Sequence, residues 1–141
     1  MPGRGPRRGP WANLHVLSGS GTTAGTVNGL GNVIIGYNEK RGSGDDRSGS
    51  HMLVVGKQHN FSSYGGIVVG HHNETSAPFA CVSGGTEGIA SGRYASVSGG
   101  YLNAASGKYA SVSGGYERTI ADATGTTNQY LWRAGSVTPS K

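Results

Sequence analysis

Apolar residues in this chain recur in short blocks at a near-constant interval, not with helical or long-strand periodicity. Aligned on the last glycine of each block, HVLSG ends at Gly19, VIIG at Gly36, LVVG at Gly56 and IVVG at Gly70. CVSGG, SVSGG and SVSGG then end at Gly85, Gly100 and Gly115, and LWRAG ends at Gly135. From Gly70 to Gly115 the spacing is 15 residues each time. The longer gaps hold RGSGDD (residues 41–46) and ADATGTTN (residues 121–128), which read as loop insertions. Self-similarity at a short fixed period marks a stacked-repeat architecture.

Fifteen residues are too few for two helices, and glycine inside a helix costs about 1 kcal/mol relative to alanine. The length suits one turn of a parallel β-solenoid, with one or two short strands and tight Gly/Ser/Asn corners. Each coil then hydrogen-bonds to the next about 4.8 Å away. The expected fold is all-β, a parallel β-solenoid (β-roll) of about six to eight coils of 14–15 residues. Residues 1–13 read as a flexible Pro/Gly/Arg-rich lead, 14–136 as the repeat domain and 137–141 as a tail.

Three residues before each glycine stand Val16, Val33, Leu53, Ile67, Val82, Val97, Val112 and Trp132, all apolar. One before come Ser18, Ile35, Val55, Val69, Gly84, Gly99, Gly114 and Ala134, small or aliphatic. Alternate residues of an extended segment share a face. The alignment therefore predicts a core ladder of Val33, Leu53, Ile67, Val82, Val97 and Val112. The opposite face then carries Leu17, Ile34, Val54 and Val68, followed by Ser83, Ser98 and Ser113. Aliphatic residues on both faces are the pattern of a strand buried on both sides. Those seven residues are accordingly the expected subunit interface; cover by loops of the same chain is the other reading. Six before the glycines lie Tyr64, Phe79, Tyr94 and Tyr109, with Tyr101 and Tyr116 on the following corner. They read either as a stack that caps the narrow core or as a binding stripe rimmed by Lys57, Arg93 and Lys108.

The run VIIG…LVVG…IVVG…CVSGG…SVSGG…SVSGG, with ASG at residues 90–92 and 105–107, resembles the YadA-like head repeat of trimeric autotransporter adhesins. The resemblance spans roughly residues 30–116. It implies a left-handed parallel β-roll, three chains side by side, displayed extracellularly for attachment to host matrix, glycans or cells. Related modules occur in phage tail fibres. The chain departs from the family in its 15-residue coils and in Ser-Gly where the family has Ala-Ile. The expected function is thus a structural or adhesive fibre module, a homotrimer on a cell surface or extracellular particle. The alternatives are an end-to-end filament subunit and a phage fibre or spike module.

Composition narrows the chemistry. Leu, Ile, Val and Phe supply only 24 of 141 residues and glycine 27, so a thick globular core is excluded. The net charge of +5 leans on Arg4, Arg7 and Arg8 in the first ten residues, and no basic run elsewhere tracks a phosphate backbone, so no nucleic acid is expected. Nor is membrane insertion, since no apolar run approaches a span. Cys81 is the single cysteine, which excludes an intrachain disulfide. His51, His59, His71 and His72 fall within 22 residues but match no zinc spacing, so neither metal nor cofactor is expected. The seven acids form no catalytic pair, and the glycine runs lack a P-loop's Lys-Ser/Thr. No enzyme is expected.

Overall fold

The computed structural model describes residues 13–121 and 132–133. Twelve short strands follow in order: β1 (Val33–Ile35), β2 (Leu53–Lys57), β3 (Asn60–Phe61), β4 (Ile67–His71), β5 (Glu74–Thr75), β6 (Cys81–Val82), β7 (Ile89–Ala90), β8 (Ser96–Val97), β9 (Ala104–Ala105), β10 (Ser111–Val112), β11 (Thr119–Ile120) and β12 (Trp132–Arg133). They form two parallel sheets, a long one ordered β1-β2-β4-β6-β8-β10-β12 and a short one ordered β11-β9-β7-β5-β3. From β2 to β11 each coil contributes one strand to each sheet, so the chain is a parallel β-solenoid. From β2/β3 to β10/β11 the described residues hold five complete coils, with β1 and β12 extending the long sheet at its two ends. Residues 14–20, counted in sequence as a coil, form no strand.

The register corrects the expected faces. Val54 pairs with Val68, Val68 with Val82, Val82 with Val97, and Val97 with Val112. These five are fully buried. The core ladder therefore runs through Val54 and Val68, which had been placed at the interface. Val33, Leu53 and Ile67, expected in the core, align with Cys81, Ser96 and Ser111 on the outer face. The cause is one residue. Val68 pairs with Val82, 14 residues on, whereas His71 bridges Thr86, 15 residues on. Gly84 is the added residue, a bulge after Ser83, and a one-residue slip exchanges the two faces of a strand. Aligning on glycines carried that slip back into the strands.

Facing the valines, the short sheet contributes Phe61, Thr75, Ala90, Ala105 and Ile120, all buried. Ala80, Ala95 and Ala110 close the core beside them. One buried Val per coil contributes about 1.5–3 kcal/mol, and the alanines opposite let the coil close tightly around it. At the corner after the long sheet glycine is obligatory. Gly85 and Gly100 have φ +78° and +87°, and a Cβ on either would lie 2.3 or 2.2 Å from the carbonyl oxygen of Gly100 or Gly115 in the next coil. That clash explains the invariance of this glycine from coil to coil.

Candidate functional site

Two corners join the strands of each coil and make two opposite rims of a flattened stack, with the outer face of the long sheet between them. On that face stand Val33 and Ile35, Leu53 and Val55, Ile67 and Val69, then Cys81 and Ser83, Ser96 and Ser98, Ser111 and Ser113. The first three pairs form a continuous aliphatic strip. The last three are small and mostly hydroxylic, and Cys81 marks the change. Val33 and Ile35 are 37% and 58% exposed, and Ser83, Ser98 and Ser113 are exposed. Trp132 donates its indole Nε1–H to Ser113 Oγ at 2.8 Å. Leu17, also expected at the interface, is 75% exposed but belongs to no strand. Ile34 aligns with the core ladder through Val54 yet remains 38% exposed, because no further rung covers it.

The aromatic residues do not make one stripe. Tyr64, Phe79, Tyr94 and Tyr109 line the rim that enters the long sheet. Tyr101 and Tyr116 bridge each other on the opposite rim, with ring centroids 5.6 Å apart. Tyr94 lies parallel to Phe79 at 5.5 Å and to Tyr109 at 5.3 Å, while Tyr64 meets Phe79 edge-on at 5.3 Å. Neighbouring rings thus occupy the faces of Tyr94. The Arg93 guanidinium lies 5.0 Å from the Tyr94 centroid and the Lys108 ammonium 4.7 Å from that of Tyr109. The rings stack along the rim, with Tyr94 and Tyr109 still 41% and 39% exposed. Phe79, Tyr94 and Tyr109 hold φ of 58°, 62° and 63°, a left-handed conformation costing each about 1–2 kcal/mol. It aims the N–H of Phe79, Tyr94 and Tyr109 at the carbonyls of Tyr64, Pro78 and Arg93 in the preceding coil, at 2.9–3.1 Å.

A polar column lies under the opposite corner, buried at His59, Asn73, Gly88 and Asn103 and half-buried at Arg118. Asn73 Nδ2 donates to Val69 O at 2.7 Å and to Gly85 O at 3.1 Å in the next coil, and its Oδ1 accepts the Gly88 N–H at 2.7 Å. Asn103 repeats this with Gly99 O, Gly115 O and the Arg118 N–H. His59 fills the same role in its coil. Burial pushes its pKa down. The sequence reading missed Asn73 and Asn103, although their spacing of two 15-residue periods was a usable signal.

The four clustered histidines each have separate work. His51 Nε2 accepts the Ser18 N–H at 3.1 Å, and His71 Nε2 bonds Gln58 Oε1 at 3.0 Å. His72 sits beside His71, with ring centroids 5.9 Å apart. Among the described residues no three His, Cys, Asp or Glu side chains converge as a metal site would require. Arg41, from the first insertion, bonds the carbonyls of Gln58 and His72 and pairs with Glu74 at 3.1 Å, pinning that loop to the corner. An open cleft of about 560 Å³ is lined by Leu14, Leu17, Thr22, Thr23 and His51. In it, Ser18 Oγ bonds Ser20 Oγ at 2.8 Å, while His51 is held by the Ser18 N–H. Comparison of the chain with protein-family models, with curated proteins and with solved structures found no match in any of the three.

Proposed function

We propose that the chain is a non-enzymatic structural and adhesive fibre module whose copies pack side by side through the outer face of the long sheet. The observation that carries this reading is the strip Val33, Ile35, Leu53, Val55, Ile67 and Val69, aliphatic on the face turned away from a core that Val54 and Val68 already fill. Contiguous apolar surface of this kind marks an interaction site. The small Cys81, Ser83, Ser96, Ser98, Ser111 and Ser113 continue it and allow close approach along the whole stack.

In the proposed role stacked backbone bonds supply stiffness, self-association covers the apolar face, and the rims are displayed for attachment. A homotrimer with a YadA-like head, on a cell surface or an extracellular particle and meeting host matrix or glycan, is the form we favour. One observation favours a second reading. Ile34, the last rung of the core, is open at 38% exposure beside Leu30 and Tyr37 at 59% and 92%. An uncovered core end fits end-to-end stacking in a filament or phage fibre.

Sedimentation velocity of the chain and of a Val55→Ser/Val69→Ser variant tests the side-by-side reading. The parent is expected to associate, and the variant to sediment as a monomer with unchanged circular dichroism. Equal association of both proteins contradicts it.

A further inference from the structure

The two rims carry opposite charge in the C-terminal coils. On the rim leaving the long sheet, Glu87 and Glu117 occupy one column with Leu102 between them; all three hold left-handed φ, at 55°, 57° and 51°. On the rim entering the long sheet stand Arg93 and Lys108, one coil apart, each over its own tyrosine. Among the described residues the salt bridges are Arg41–Glu74 and Arg47–Asp45, so none of these four charges is neutralised by an ion pair within the described chain. Glu117, Arg93 and Lys108 are exposed and Glu87 half-buried. His72 stands in the same column one coil before Glu87, at φ 56° and within electrostatic reach of it, while Lys57 belongs to an earlier coil and Arg118, next to Glu117, is half-buried with Nε enclosed.

We infer that the rim bearing Glu87 and Glu117 is built to meet the rim bearing Arg93 and Lys108 of a second copy, so that charge fixes side-by-side packing as parallel and in register. The inference rests on the self-association proposed above and adds its orientation and contact residues. When copies are related by rotation about the stack axis, every coil stays at its own height and the leaving rim of one chain lies beside the entering rim of the next. Lys108, in the coil between those of Glu87 and Glu117, then faces both carboxylates, and Arg93 faces Glu87. An antiparallel pair instead sets like rims together, Glu beside Glu and Arg beside Lys. Exposed ion pairs contribute little affinity, but like-charge juxtaposition is costly, so this pattern selects orientation. The contact is heterologous and closes into a ring about the stack axis.

Three variants test it by sedimentation equilibrium at low salt: Glu87→Lys/Glu117→Lys, Arg93→Glu/Lys108→Glu, and all four together. Each double variant is expected to associate about tenfold or more weakly than the parent, and the fourfold swap to restore association. Circular dichroism confirms that the variants fold. A parent that associates while the double variants match it, or a fourfold swap that stays weak, overturns the inference and leaves the apolar interface standing. A monomeric parent removes the proposed self-association itself, and the inference with it.

Discussion

His59 accepts the main-chain N–H of Asn73 through Nδ1 at 3.2 Å, and so does for its coil what Asn73 does for the next. With Nδ1 accepting, the ring proton sits on Nε2 and is donated to Val55 O at 3.1 Å, four residues back, just as Asn73 Nδ2 donates to Val69 O at 2.7 Å. A neutral imidazole and a carboxamide fill the same place because each offers an acceptor and a donor at similar reach, the carboxamide using its second N–H for the carbonyl of the next coil.

That equivalence makes the first coils sensitive to acid. The folded pKa of His59 is lowered, chiefly by burial, and that of His72 moves the same way for the same reason. The unfolded chain takes up these protons near pH 6.5. Stability due to neutral His59 is thus fully present above about pH 6.5 and is lost as pH falls through the lowered folded value. Urea midpoints at pH 7.5 and pH 5 should differ for the parent, and His59→Asn should narrow the difference while folding normally at pH 7.5.

Asn103 is expected to be costly to remove. Asn103→Ala orphans the N–H of Arg118 and takes a donor from the carbonyls of Gly99 and Gly115, of which the second keeps the Tyr101 N–H, at about 1–3 kcal/mol per buried group left unsatisfied. Chemical denaturation at fixed protein concentration checks this. A loss under about 0.5 kcal/mol, typical of surface substitutions, contradicts it.

Adjacent residues in β2 separate folding from association. Val54→Asp places a charge in the core and should abolish the β signal, whereas Val55→Asp alters only the outer face and should leave a folded chain that no longer associates. Circular dichroism and sedimentation on the two variants read these outcomes independently.

Thr75 breaks the apolar ladder of the short sheet. It is fully buried between Phe61 and Ala90, and its Oγ1 has no hydrogen-bond partner. Thr75→Val removes an unsatisfied hydroxyl at nearly constant volume and should stabilise the chain by about 1 kcal/mol, seen as a raised urea midpoint.

The solenoid was legible because the period is written in residues that the corners require, above all the glycine column from Gly70 to Gly115. The face assignment was not legible in LVVG and IVVG, where every strand position is aliphatic and either parity satisfies the pattern. It was legible in SVSGG. There Val97 and Val112 are the single apolar residues and the expected ladder set them inward correctly, but the 14-residue step from Val68 to Val82 could not be seen from the 15-residue glycine spacing. The division of the tyrosines between two rims depends on where each corner falls, which periodicity alone does not give. The expected lead at 1–13 and tail at 137–141 lie almost wholly outside the described residues, as does the second insertion except Ala121.

Light scattering of the full chain during size-exclusion chromatography tests self-association most directly. The expected mass is three times the 14.4 kDa of one chain, held on dilution through the micromolar range. A folded species at 14.4 kDa across that range contradicts it, since the aliphatic strip from Val33 to Val69 would then face water unaided.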